Sequence, residues 1–200
     1  AEAPEAAVRV SSFVPNKEIA AIEWVGLKRA RKHLSYPVDV EILDEFTRLV
    51  DEAALPTFPI VVLRHAKAKS RDDWDGPDAR RPLAGRGRRQ AEAIVGPLLA
   101  FGVRRIVSSP AQRCVQTVRP LARALGQRIT PTASLSQDSW DAGRSDARTV
   151  VGERVRARKP VVVCSHGPVL PDILHELALA TGTMRGSYLG SSAALEPAAF

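Results

Sequence analysis

The chain alternates short, continuously apolar runs with longer stretches in which apolar residues recur every three or four positions. Residues 58–63, 103–107 and 161–164 form the apolar runs. Unbroken runs of this kind suit strands covered on both faces, as in a parallel sheet. Between and after them, residues 87–100, 111–125, 146–158 and 168–180 carry the helical spacing, with Pro120 inside the second. Strand, loop and helix in alternation predict an open, mostly parallel sheet with helices on both faces, a three-layer α/β/α class. Ligands of such sheets bind beyond the carboxyl ends of the strands.

The pattern changes before residue 59. Residues 8–13 and 19–25 read as strands joined by a Pro15-Asn16-Lys17 turn. Residues 27–34 read as a short basic helix, and residues 37–53 as an amphipathic helix with Val40, Leu43, Phe46, Leu49 and Val50 on one side. A proline pair at Pro56 and Pro59 marks the break. The expected division is a partial α+β piece over 1–53, a linker over 54–58 and an α/β domain over 59–200.

Charge follows the same division. The chain carries a net charge of +7. Residues 1–55 hold 7 basic and 10 acidic residues, net −3; residues 56–200 hold 22 and 12, net +10. The basic part calls for an anionic partner. No apolar run reaches 18 residues, so no membrane-spanning helix is expected. Two cysteines, Cys114 and Cys164, are too few for a disulfide framework or a zinc cluster, and a reducing cytoplasm is the expected setting. No recognised DNA- or RNA-reading motif appears, so a nucleotide is favoured over nucleic acid.

Three strand ends carry chemistry. The first reads V-L-R-H-A and ends in Arg64 and His65. The second reads I-V-S-S-P-A-Q-R and reaches Arg113. The third reads V-V-V-C-S-H-G and ends in Ser165, His166 and Gly167. A parallel sheet would bring two imidazoles and two guanidiniums to one rim. Guanidiniums match phosphoryl oxygens and stay charged. A neutral imidazole can attack phosphorus, and a second can stabilise the equatorial oxygens. This set needs no metal.

At these residues the sequence resembles the histidine phosphatase superfamily, the phosphoglycerate mutase-like fold. L-R-H-A resembles its R-H-G signature with Ala66 in the glycine position, and with Lys67 and Lys69 it is most similar to the phosphohistidine phosphatase branch. Residues 81–91 are similar to the family's L-T-x-x-G-x-x-Q-A segment, S-S-P-A-Q-R-C-V-Q-T resembles S-S-P-x-x-R-A-x-Q-T, and S-H-G resembles the final histidine motif. The resemblance implies that His65 is the nucleophile and that Arg64, Arg113 and His166 form the phosphate pocket. Lys67, Lys69, Ser165 and Gly167 would contact substrate. Where the family often has a glutamate proton donor, this chain has Gln137 with Asp138 beside it, so either Asp138 is the acid or a good leaving group needs little help. Trp74 and Trp140 fall in polar loops near the expected rim, where an aromatic ring could stack on a base.

Residues 13–36 resemble the last part of a Nudix domain, although the Nudix box is absent and the chain has neither an R-E nor an E-E dipeptide. A Nudix domain followed by a histidine phosphatase domain is similar to the two-domain MutT proteins of mycobacteria. That implies a phosphohydrolase of nucleotide-pool sanitation and DNA repair, acting on 8-oxo-dGTP, 8-oxo-GTP or their diphosphates. It further implies a missing N-terminal Nudix portion as partner, whose half of the reaction uses Mg2+. A protein phosphohistidine phosphatase and a non-catalytic polyanion-binding partner of the Nudix domain are the alternatives.

Overall fold

The computed structural model describes residues 14–54, 57–182 and 194–200. Two compact units divide at residues 57 and 58.

In the first unit, helix α1 spans Leu27–His33 and helix α2 spans Pro37–Asp51. Tyr36 precedes Pro37, which starts α2 at the one turn that needs no backbone donor. Val40, Leu43, Phe46 and Leu49 are half-buried, while Val38 and Ile42 are largely exposed. Residues 19–25, expected as a strand, are not in a sheet. A strand needs a neighbour to take its backbone hydrogen bonds, and none is provided among the described residues. The expected strand over 8–13 lies outside those residues.

The second unit is built on a four-stranded parallel sheet of β1 (Ile60–Arg64), β2 (Arg105–Ser108), β3 (Ile129–Pro131) and β4 (Val161–Ser165). The strand order is β1-β4-β2-β3. Register pairs Arg64 with Ser165 and Ser108 with Cys164, so the carboxyl ends of β1, β4 and β2 finish level. β3 was not foreseen. It is three residues long, lies at the sheet edge and ends in Pro131, a residue that edges tolerate.

Alternation along the strands sends side chains to two cores. Val61, Leu63, Ile106, Val162 and Cys164 pack against Ile94 and Leu98 and against α5 (Gln112–Leu125) through Val118 and Leu121. Val62, Val107, Val161 and Val163 face the other way. They meet α7 (Ala147–Ala157) through Val150 and Val151, and α8 (Leu170–Thr181) through Leu170 and Ile173. The chain is therefore α/β with helices on both sheet faces, as expected.

The helix expected over 87–100 is two helices, α3 (Gly85–Ala93) and α4 (Val95–Ala100). Pro97 accounts for the break: its ring lacks a donor and collides with the carbonyl four residues back, that of Ala93. Gly87 lies in α3 against the loop after β1. A Cβ there would fall 2.0 Å from the Lys67 carbonyl oxygen. Only glycine lets α3 approach this closely.

The free edge of β1 is covered by the chain's last residues. Arg64 N–H donates to the Ala199 carbonyl, and Ala198 N–H donates to the Arg64 carbonyl, both at 3.1 Å.

Candidate active site

The carboxyl rim of the sheet gathers His65, His166, Arg64 and Arg113. Each arrives by a different route. Arg64 is the last residue of β1 and His65 follows it, anchored by a 3.0 Å hydrogen bond from its N–H to the Ser165 carbonyl. His166 follows β4 directly. Arg113 sits in the first turn of α5, after the loop that leaves β2.

The two imidazoles stand edge to face, with ring centroids 5.2 Å apart and planes at 65°. His65 Nδ1 lies 2.8 Å from the Ala66 carbonyl oxygen. A carbonyl only accepts, so Nδ1 carries the proton in that bond and Nε2 keeps its lone pair. Burial, helped by the positive fields of His166, Arg113 and Arg64, pushes the His65 pKa down to about 3 against the opposing pull of the Ala66 carbonyl. The ring is therefore neutral at any ordinary pH, which leaves the Nε2 lone pair free to attack an electrophile.

His166 is fully buried, and its Nε2 is 2.8 Å from Ser109 Oγ and 3.5 Å from Cys114 Sγ. The Ser109 hydroxyl also accepts from the Ala111 N–H. Ser109 thus fixes the second ring.

Arg113 is 1% exposed. Its guanidinium donates to the Asp78 carbonyl at 2.8 Å, pairs with the Asp78 carboxylate at 3.0 Å, and reaches Gln137 Oε1 at 3.4 Å. Arg64 donates to the Leu195 carbonyl. The Nε–H groups of both arginines are buried without an acceptor. Buried N–H donors are normally satisfied, and a phosphoryl group supplies the oxygens such donors take. Gly167 matters here because a Cβ on it would come within 3.4 Å of the Arg64 guanidinium carbon.

A cavity of about 260 Å³ opens over His65 and Arg64, edged by Lys67, Lys69, Arg71, Arg81, Gln137 and Gly167. Lys67, Lys69 and Gly167 all border this cavity. Ser165 is not available to a ligand. Its side chain is buried and donates to the Leu135 carbonyl at 2.7 Å, because strand alternation turns it into the fold.

Asp138 does not line this cavity. Gln137 does, while Asp138 lines an adjoining hollow of about 280 Å³ with Asp141, Trp74 and Asp78. The two are successive residues of the short helix α6 (Gln137–Asp141). Neighbouring helix positions point about 100° apart. The candidate acid is thereby placed one cavity away from His65. Trp74 donates its Nε1–H to the Pro77 carbonyl, and Trp140 donates to Asp172.

Asp78 was not foreseen. It lies in a polar loop with no periodicity, so no sequence signal marks it. Burial raises its pKa, but Arg113, Arg81 and Arg71 outweigh that and hold the carboxyl below its usual range. Thr117 was also missed. Its hydroxyl takes the Ala66 N–H and donates to the Arg113 carbonyl, tying the loop after β1 to α5. Among the described residues, no cluster of three or more His, Cys, Asp or Glu is arranged to hold a metal. No helix of the described residues is long and apolar enough to cross a membrane.

Residues 60–150 match the histidine phosphatase superfamily (branch 1). The chain is 34% identical over 162 residues to the 8-oxo-(d)GTP phosphatase of Mycolicibacterium smegmatis, covering 81% of this chain and 49% of that relative. It thus spans about half the length of the curated relative it matches. The SixA structure from Nakamurella multipartitia shares 23% identity, with a TM-score of 0.51 over 70% of this chain and 78% of that one. The SixA structure from Agrobacterium tumefaciens shares 23% identity, with a TM-score of 0.49 over 70% and 84%.

Proposed function

We propose, for a chain that belongs to the histidine phosphatase superfamily through residues 60–150, that His65 takes the terminal phosphoryl group from a nucleoside polyphosphate of the 8-oxoguanine class. The observation that carries this reading is the neutral His65 imidazole set against His166 between two arginines with unsatisfied buried donors. The name of the curated relative supplies the substrate class.

In this reading, His65 Nε2 forms a bond to phosphorus while the bond from phosphorus to the bridging oxygen breaks. The nucleotide leaves one phosphate shorter. Arg64, Arg113 and His166 hold the three equatorial oxygens as charge builds on them. A water oxygen then attacks phosphorus, the Nε2–P bond breaks, and inorganic phosphate leaves as the water proton passes to solvent. A phosphate leaving group is already a weak base, so it needs little help from an acid. That suits a cavity edged by Gln137 with Asp138 turned away.

Lys67 and Lys69, exposed cations that line the cavity, would meet the remaining phosphates at the rim. Residues 1–53 are, within the same proposal, the end of a Nudix domain whose Mg2+-binding glutamates this chain does not carry. The setting would be the cytoplasm, where the nucleotide pool is kept.

The test is a substrate panel of 8-oxo-dGTP, 8-oxo-dGDP, dGTP, an aryl phosphate and a phosphohistidine protein, each with Mg2+ or with chelator. The expected result is phosphate release from the oxidised nucleotides in chelator, lost in His65→Ala by at least about 10³-fold. Undiminished release in His65→Ala would overturn the mechanism. Preferred turnover of the phosphohistidine protein would reassign the substrate. Tight nucleotide binding without turnover would leave only an anion-binding role.

A further inference from the structure

The amino-terminal edge of the sheet, one strand length from His65, holds a second basic cavity. Its volume is about 680 Å³, and Arg104, Arg105, Arg128, Arg154 and Lys159 line it. Three strand entrances and one helix supply them. Arg104 precedes β2 and Arg105 opens it, Arg128 precedes β3, Lys159 precedes β4, and Arg154 comes from α7. A 3.2 Å hydrogen bond from Arg104 N–H to the Pro160 carbonyl ties two of these entrances together.

The register explains why the charges converge. Ile106 pairs with Ile129, so continuing the ladder back one residue brings Arg105 level with Arg128 on adjacent strands. Parallel strands are about 4.8 Å apart, and like charges at facing positions repel. By alternation, Arg105, Val107, Arg128 and Thr130 share the sheet face that α7 covers further along. A buried parallel strand normally presents apolar residues on both faces. Here the outer end of that face carries exposed arginines and an exposed threonine instead.

Most of this positive charge has no acidic partner among the described residues: Arg104, Arg105, Arg128 and Lys159 have none. Arg154 pairs with Glu153 at 2.6 Å, yet its Nε–H is buried without an acceptor. A cluster of guanidiniums with a spare buried donor is suited to anionic oxygens. The cavity's size is that of a small-molecule site. A flat basic ridge would suit a nucleic acid; a concavity of this size suits a short chain of phosphates.

We propose that this cavity is a second anion site that binds the phosphate chain of a polyphosphate, separate from the His65 pocket. Two sources share that chemistry, a nucleoside triphosphate and inorganic triphosphate.

The test is calorimetric titration of the full chain carrying His65→Ala, which cannot turn ligand over, with inorganic triphosphate and in parallel with GTP. The double substitution Arg105→Ser and Arg128→Ser is expected to remove one binding event, or to raise its Kd at least about tenfold. Arg154→Gln alone is expected to weaken the same event. Circular dichroism and melting temperature check that each variant folds. If the double variant melts early, the single Arg154→Gln variant carries the test. Tighter binding of GTP would name a nucleotide as the source, and equal binding the bare chain. Superimposable isotherms for variant and parent would overturn the site. So would binding of duplex DNA that depends on these arginines while triphosphate fails to bind. Because the readout is binding in a His65-free protein, failure here leaves the phosphatase reading untouched.

Discussion

The rings of His65 and His166 stand edge to face at a centroid separation of 5.2 Å, and each is held by a different oxygen. The Ala66 carbonyl holds the first and the Ser109 hydroxyl holds the second. Neither oxygen comes from a charged group. The fields of His166, Arg113 and Arg64 add to burial in keeping His65 neutral.

That neutrality sets a pH dependence of stability. The folded pKa of His65 is about 3, whereas in the unfolded chain it is ordinary, about 6.5. Below pH 6.5 the unfolded state takes up a proton that the folded state refuses, so stability falls as pH falls, down to about pH 3. Each pH unit across that window costs up to about 1.4 kcal/mol from this one group. Chemical denaturation at pH 6.5 and pH 4.5 should show a loss of up to about 2–3 kcal/mol in the parent. In His65→Asn that part of the loss should vanish. Equal pH slopes in the two proteins would refute the buried neutral ring. Activity should show no limb near pH 6.5 due to protonation of His65.

Much of this site was legible because the residues that build it sit next to apolar runs. Arg64, His65 and His166 end or follow strands, and a parallel sheet has to bring its strand ends together. Arg113 was legible for the same reason, through the loop leaving β2. Asp78 was not, because an isolated acid in a polar loop gains meaning only when the fold sets it 3.0 Å from Arg113. The tail that covers β1 through Ala198 and Ala199 was invisible for a similar reason: its partners are more than a hundred residues away and its own composition has no period. The choice between Gln137 and Asp138 turned on which direction a short helix faces, and a five-residue helix leaves too little pattern to read.

Ser109 offers a test of ring positioning. Its hydroxyl bridges the Ala111 N–H and His166 Nε2. Replacing it with alanine removes a buried hydrogen bond worth about 1–3 kcal/mol. If His166 acts mainly on the transition state, kcat should fall about five- to hundredfold with KM little changed. Ser109→Thr, which keeps the hydroxyl, should recover part of the loss. A variant that changes only KM would point to a role in ground-state binding.

Gly87 tests the packing under the loop that follows His65. A methyl group at this position would lie 2.0 Å from the Lys67 carbonyl oxygen. Helix α3 or the loop must move, and forced overpacking costs about 1–3 kcal/mol. Gly87→Ala should therefore lower the denaturation midpoint despite alanine's better helix propensity. It should also raise KM, because Lys67 stands on the moved backbone. An unchanged midpoint would mean that the loop yields freely and does not hold the site.

Asp78 poses the opposite question, whether a carboxylate paired with Arg113 opposes the substrate. Its carboxylate lies 3.0 Å from Arg113 and 2.8 Å from Arg81, and the arginines keep it ionised. An incoming phosphoryl group brings further negative charge to the same guanidinium. Like charges sharing one partner repel, so the carboxylate should weaken anion binding while it holds Arg113 in place. In Asp78→Asn the side chain still offers a carbonyl oxygen to Arg113, but the negative charge is gone. Inhibition by orthovanadate should then strengthen several-fold, since one adverse interaction of about 1 kcal/mol is removed. The folded protein should lose stability, because Arg113 is left charged and buried with less compensation. Weaker vanadate inhibition would show instead that the ion pair orients Arg113 for the phosphoryl group, and that its ordering effect outweighs the repulsion.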